Sequence, residues 1–294
     1  MVERKNSVYV IQQLLIYSTI TLVAFLCIAP FLLIISGSLT SEREIMETGF
    51  SLFPKKIDFY SYHYLLTDYE KILTGYKVSG FTTVFGTLLS LAVTSMMAYP
   101  LSRPDVKYRN IFSFYAFFTM LFSGGMVPWY IVCTKYLGLK DTLWALILPH
   151  TIGAWNLFLL RNYFKSIPAA MYESATIDGA GEWKILFRII LPLSLPGMAT
   201  VGLFISLGYW NDWWLGLMLI NKNALYPLQL LLRTIVSNVQ YLTSAQSGTA
   251  EDKLLPSEGI KMATCLVTIG PVILVYPFLQ RYFIKGIMVG AVKG

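Results

Sequence analysis

Six apolar runs, parted by polar stretches of unequal length, set the plan of this 294-residue chain. A hydrocarbon layer about 30 Å thick is crossed by roughly 20 helical residues at ~1.5 Å each. On that measure the pattern predicts transmembrane helices over 14–36, 81–101, 111–133, 142–160, 193–220 and 260–279. The predicted fold class is therefore all-α, a polytopic membrane protein with a single domain over 1–294 and no internal sequence repeat. Arg4 and Lys5 precede the first run as in a signal peptide, yet the run outlasts a signal core and no small-residue cleavage pattern closes it. It reads as the first span. Gly124, Gly125 and Pro128 interrupt the third, and prolines 30, 271 and 277 are further points where a helix is able to kink.

The polar stretches give the orientation. Residues 37–79, with Pro54, Lys55, Lys56 and tyrosines at 60, 62, 64, 69 and 76, are too varied for a linker and predict an ordered extracytoplasmic segment. The nine residues SRPDVKYRN, Ser102–Asn110, concentrate Arg103, Lys107 and Arg109, which predicts a cytoplasmic loop. Lys and Arg otherwise divide almost evenly between the two sets of loops, and long loops weigh little in orientation. With the N-terminus inside, six spans put both termini and the loop 165–192 in the cytoplasm.

One polar interruption, from Pro168 to Pro196, carries a specific pattern, PAAMYESATIDGAGEWKILFRIILPLSLP. Ser166 is placed to cap a helix whose first turn holds Pro168, running through Glu173 to about Ile177. Asp178, Gly179 and Gly181 break it. A second helix then starts with Glu182 favourably set against the helix dipole and runs to Pro192. Trp183, Leu186, Phe187 and Ile190 predict its apolar face, and Lys184 and Arg188 lie on another.

Glu173, Ser174 and Ala175, then Gly179, then Ile189, Leu191 and Pro192 at fixed offsets resemble the "EAA" coupling loop of binding-protein-dependent ABC importer permeases, with Ser174 in place of the usual first alanine. The resemblance extends over nearly all of the chain. It is closest to the maltose-type carbohydrate branch, near permeases for oligosaccharides including acidic ones such as alginate or aldouronates, through WND at Trp210–Asp212, YPLQ at Tyr226–Gln229 and the QRYFIKG tail.

Composition agrees with membrane residence: 55% of residues are hydrophobic and only 13% charged, and mean hydropathy is positive. The net charge of +7 comes from residues scattered through short loops, which gives no ground for nucleic-acid binding. Cys27, Cys133 and Cys265 lie in apolar runs and predict buried, reduced thiols. The sequence contains no GxxxxGK[ST], HExxH or GxSxG, and its two histidines, His63 and His150, are far apart. The chain is thus expected to be neither an enzyme nor a metal protein, and to bind no cofactor.

Asp212 is the exception among the apolar runs. Within YWNDWW, Tyr209–Trp214, it lies about 27 Å along the fifth span, near its outer end. Two readings stand: an interfacial aromatic belt with Asp212 already in water, or Trp210, Asn211 and Asp212 facing a water-filled path that takes sugar rings and hydroxyls.

The resemblance implies a type I importer permease fold, in the bacterial inner membrane and in contact with its lipid. The implied partners are a second, homologous permease, two ABC ATPase subunits that hold ATP and Mg, and an extracytoplasmic solute-binding protein delivering an oligosaccharide. It implies that Glu173, Ala175, Asp178, Gly179, Ala180 and Lys184 meet the ATPase, with the small residues allowing close approach and Gly179 making the turn. Glu173 stabilising only its own helix is the competing reading. Lys293 and Gly294, in the GAVKG ending, would reach the ATPase interface or else form a frayed basic terminus. An ABC permease for another solute and an ion-coupled secondary transporter are the alternatives. The latter would call for ionisable residues in several spans and an inverted repeat.

Overall fold

The computed structural model describes residues 7–246 and 257–273. Among the described residues the regular structure is helical, with a single isolated bridge between Thr40 and Ile57. Among the described residues two helices, Ile11–Ser38 and Tyr69–Ser102, are long and apolar enough to cross a membrane, and up to five crossings result if each of three bent pairs is one span. The described chain forms two compact units, one of residues up to Tyr69 with Thr234–Gly270, the other built on Glu70–Arg233.

In the first unit, α1 (Ser7–Ser38) is apolar all round, and Leu14, Leu22 and Leu26 remain exposed, as expected of a lipid-facing helix. Its C-terminal end is tied down by hydroxyls. Ser36 Oγ donates to the carbonyl of Ser51 (2.6 Å) and Ser38 Oγ meets Tyr62 Oη at 2.8 Å. The segment after it holds α2 (Glu42–Thr48), capped by Ser41, and α3 (Tyr60–Leu66). Glu42 is buried, and its carboxylate accepts from Ser257 Oγ (3.0 Å) and from the backbone N–H groups of Glu258 (3.1 Å) and Gly259 (3.3 Å). It caps the last described helix, residues 257–273, and its charge sits at the positive end of that helix. The remainder of the run predicted over 260–279 lies outside the described residues.

The second unit is built on α4 (Tyr69–Ser102), a helix of 34 residues. It starts well before the predicted span at 81, because Glu70 in its first turn suits the dipole and the helix continues past the apolar run. Two buried clusters flank α4, one around Val78, Cys133, Leu139, Leu215 and Leu219, the other around Ala98, Tyr99, Leu157, Phe164, Ile185 and Ile190. Val78 and Ala98 are about 30 Å apart along the helix, close to the thickness of a bilayer core.

The other predicted spans of this unit are not single helices. The run 111–133 becomes α5 (Arg109–Leu121) and α6 (Met126–Ile131), the latter continued by a π turn to Tyr136, with a 112° bend between them. Phe122 is extended and Gly125 has φ +86°, so the glycine pair turns the chain outright. The run 142–160 becomes two 3₁₀ turns, Leu143–Leu146 and Leu148–His150, followed after Gly153 by α7 (Ala154–Lys165), with a bend of 53°. After α8 (Ala169–Ile177), the stretch from α9 (Glu182–Ile185) through a π turn to α10 (Leu191–Leu193) meets α11 (Leu195–Trp210) at 82°. The run 193–220 breaks again at 211–213 before α12 (Trp214–Leu219). The helix α13 (Leu228–Gln246) begins in this unit.

Of the three thiols, only Cys133 is buried; Cys27 and Cys265 are exposed on their apolar helices, because an apolar run in a membrane protein need not face its own core.

Candidate functional site

The predicted coupling loop folds as helix, turn, helix. Ser166 is not its cap: it ends α7, and its Oγ donates to the carbonyl of Tyr163 (2.7 Å). Pro168, extended at φ −57° and ψ 136°, instead stands before the first residue of α8. The turn after α8 closes by two reverse hydrogen bonds, Ala180 N–H to the Ala175 carbonyl (2.9 Å) and Gly179 N–H to the Thr176 carbonyl (3.0 Å). With Gly179 at φ +76°, this is a Schellman motif, and Gly179 holds the left-handed position that a Cβ disfavours.

The side chains of this loop divide sharply. Glu173, Asp178 and Lys184 are exposed, and Ile177 is 85% exposed at the tip. Ala175 is only 7% exposed and belongs to the buried cluster with Phe164 and Ile185, and Ala180 packs against the same cluster. Their small size admits close approach to this chain's own core. The apolar face of the second helix is as predicted at Leu186 and Ile190 and differs at Trp183 and Phe187. Ile185, Leu186 and Ile190 are buried, while Trp183 (65% exposed) and Phe187 stack on each other in the open, with ring centroids 6.0 Å apart.

A polar latch fixes that phase. Tyr99 Oη donates to Glu182 Oε2 (2.5 Å), and Arg103 Nη1 donates to both Tyr99 Oη (3.0 Å) and Glu182 Oε2 (3.1 Å). Arg103 also grips Asp105 through Nε (2.8 Å) and Nη2 (2.7 Å), and its guanidinium lies 5.3 Å from the ring centroid of Tyr172 on α8. The Arg103 side chain is 13% exposed, so these charge-assisted bonds act in a partly desolvated place. The hydrogen bonds to Asp105 raise the Arg103 pKa above its ordinary value, and the same bonds lower that of Asp105. Burial raises the Tyr172 phenol. Nearby, Tyr172 Oη donates to the Phe164 carbonyl (3.1 Å) and Arg161 Nε to the Leu101 carbonyl (2.9 Å). The end of α4, the loop after it and both coupling helices are thereby one connected piece. Sequence reasoning used Arg103 only as a topology charge and Glu182 only as a helix starter.

At the other end of α4 lies the aromatic cluster. Asp212 Oδ1 accepts from the N–H groups of Trp214 (3.1 Å) and Leu215 (3.3 Å), so the carboxylate caps α12. Asn211 is exposed, its Nδ2 donating to the Leu207 carbonyl (2.9 Å) and its Oδ1 accepting from Gln229 Nε2 (3.3 Å). Trp210 faces Tyr76 with centroids 6.3 Å apart, and Arg233 lies 3.6 Å from the ring centroid of Trp213. Sequence reasoning used Gln229 only as part of YPLQ and missed Arg233, although their spacing of four on a helix puts them on one face. Buried Tyr209 donates to the Ile147 carbonyl (2.9 Å) and lies 3.0 Å from Ser90 Oγ.

A clasp joins two connecting segments. Asp141, itself at φ +57°, donates its N–H to the Leu219 carbonyl (2.9 Å), and its Oδ1 accepts from the N–H groups of Asn221 (2.5 Å) and Lys222 (3.0 Å). Among the described residues no three His, Cys, Asp or Glu side chains gather as metal ligands. The predicted contact residues Lys293 and Gly294 lie outside the described residues.

Comparison with known proteins gives a consistent result. The model of the family described as "binding-protein-dependent transport system inner membrane component" matches residues 71–289. The polygalacturonan/rhamnogalacturonan transport system permease protein YtcP of Bacillus subtilis (strain 168) is 42% identical over 281 residues, 96% of this chain and 98% of that protein. Protein LplC of the same organism is 44% identical over 274 residues, 92% of this chain and 91% of that one. Among solved structures, a chain of a bacterial ABC transporter involved in the import of the acidic polysaccharide alginate superposes with a TM-score of 0.77 at 30% identity, covering 96% of this chain and 99% of that one.

Proposed function

The chain belongs to the family of inner membrane components of binding-protein-dependent transport systems, and from that premise we propose that it is a permease subunit importing a uronate-containing oligosaccharide. The substrate class draws on two relatives, one a permease for polygalacturonan and rhamnogalacturonan and the other from an importer of acidic alginate. It is a multi-pass membrane protein and a transport subunit, not an enzyme. In the proposed assembly it pairs with a second permease above two ATPase subunits, which hold ATP and Mg, and receives substrate from a solute-binding protein outside. Six crossings leave both termini and the coupling loop in the cytoplasm.

The observation that carries the reading is the built form of the coupling loop. An exposed tip of Ile177, Asp178 and Gly179 stands on a Schellman turn, flanked by exposed Glu173 and Lys184 and strapped to α4 by Arg103. Such an element is shaped to sit in a partner's groove and to move without deforming. When the ATPase pair closes, a push on the tip travels through the Glu182–Arg103 latch to α4, whose far end lies beside the aromatic cluster. Both permeases then rock together, and hydrolysis resets them. In this scheme Glu173, Asp178 and Lys184 make the polar contacts with the ATPase, while Ala175 and Ala180 seat the loop on its own chain. Trp210, Asn211 and Asp212 lie at the substrate path, with Asp212 shaping it as a helix cap.

The test is reconstitution of the chain with its neighbouring-gene permease and ATPase in lipid nanodiscs. ATP hydrolysis stimulated by the binding protein together with one oligosaccharide supports the proposal. Failure of any ATPase to associate, with Glu173 substitutions silent, overturns it.

A further inference from the structure

The break between α11 and α12 meets the first turns of α13 through two parallel contacts, Asn211 with Gln229 and Trp213 with Arg233. Because Gln229 and Arg233 are four residues apart, amide and guanidinium project side by side from one helical face. Arg233 is exposed, and among the described residues no carboxylate pairs with it. It differs in this from Arg103, whose charge is answered by Asp105 and Glu182.

The stacking decides what Arg233 is able to do. At 3.6 Å from the ring centroid the planar guanidinium rests on the indole face, which orients it and leaves its N–H donors in the plane. A planar fork of donors held in one orientation matches a carboxylate in bidentate geometry. Beside it the Asn211–Gln229 pair offers amide donors and acceptors suited to hydroxyls. Trp210 and Tyr76, with ring centroids 6.3 Å apart, add aromatic surface for the C–H face of a pyranose. A uronate presents a carboxylate, hydroxyls and a C–H face on one ring.

We propose that Arg233, held against Trp213 and flanked by the Asn211–Gln229 pair, is a subsite for the carboxylate of a uronate in the transported oligosaccharide. This rests on the reading of the chain as an oligosaccharide permease. It assigns recognition of acid to a residue of the permease, separately from any selection made by the binding protein.

The experiment measures uptake of trigalacturonate and of its methyl ester by the complete complex in proteoliposomes, with one binding protein throughout and with Arg233, Arg233→Gln or Arg233→Lys in the permease. Because the binding protein is constant, any change in the acid-to-ester ratio reports on Arg233. The expected result is a ratio lowered about tenfold in Arg233→Gln, the scale of one charge-assisted hydrogen bond, and an intermediate ratio in Arg233→Lys, which keeps the charge without the fork. A ratio unchanged in both variants overturns the proposal. So does a wild-type complex that carries neutral oligosaccharides but neither trigalacturonate form, which would leave the importer reading standing. A wild-type complex that responds to no oligosaccharide removes the importer reading and this inference together.

Discussion

Arg103 and Glu182, 79 residues apart in sequence, meet at 3.1 Å and share the hydroxyl of Tyr99. One residue follows the 34-residue helix α4; the other opens the second helix of the coupling loop. Their contact is where a force on the loop reaches the rest of the chain. Arg103→Gln and Glu182→Gln are each expected to leave ATP hydrolysis running while uptake falls about fivefold or more, the scale of an allosteric coupling. The ratio of sugar imported to ATP consumed is the measurement, and an unchanged ratio removes the latch from the mechanism.

Gly179 tests the turn itself. A Cβ at this position meets nothing within 4 Å, so any penalty comes from the positive φ of +76° and not from crowding. Gly179→Val is expected to cost about 1–2 kcal/mol locally and to reduce uptake, whereas Gly179→Asn, which visits the left-handed region more readily, retains most of it. Normal uptake in Gly179→Val membranes would refute a coupling role for the turn.

Crowding decides the outcome at Gly86. A Cβ there would come within 2.7 Å of the Tyr209 ring, a buried group that also donates to Ile147. Gly86→Ala is expected to destabilise by about 1–3 kcal/mol through overpacking. Tyr209→Phe, which keeps the ring and loses the hydroxyl, is expected to cost about 1 kcal/mol. Thermal unfolding of the purified complex in detergent orders the two.

The Asp141 clasp has a defined pH response. The N–H of Asn221, then that of Lys222, lowers the carboxyl pKa from its ordinary 3.8. A carboxylate lowered in the folded state contributes stability that is fully present above the unfolded value and is lost as pH falls through the folded one. Hydrogen-exchange protection of the Asn221 and Lys222 amides, corrected for intrinsic rate, is thus expected to hold from pH 7 to about pH 5 and to decline only below about pH 4. Asp141→Ala is expected to lack that protection at every pH.

Much of this architecture is legible from residue pattern. Gly124 and Gly125 mark a real break, Gly179 takes the conformation that only its lack of a Cβ makes easy, and Glu182 does start a helix. Other features depend on partners distant in sequence. Spacing alone puts Trp183, Leu186, Phe187 and Ile190 on the apolar face of the helix that Glu182 starts. Once Glu182 is drawn to Arg103 and Tyr99, the row through Ile185, Leu186 and Ile190 turns inward instead. Arg233 was hidden for the same reason: its meaning comes from Trp213, on a different helix break. Hydropathy windows also count residues without seeing where the backbone turns, which is why the runs 111–133 and 142–160 emerged as bent pairs.

The buried carboxylate of Glu42 has a consequence for how the chain is made. Its hydrogen-bonding partner Ser257 follows it by 215 residues. At ribosomal speeds of about 5–20 residues per second, Glu42 waits roughly ten to forty seconds before that partner is synthesised. Throughout that interval α2 carries at its first residue a carboxylate whose burial is not yet compensated, and the nascent protein must keep that corner in water until the helix that starts at Ser257 arrives to close it.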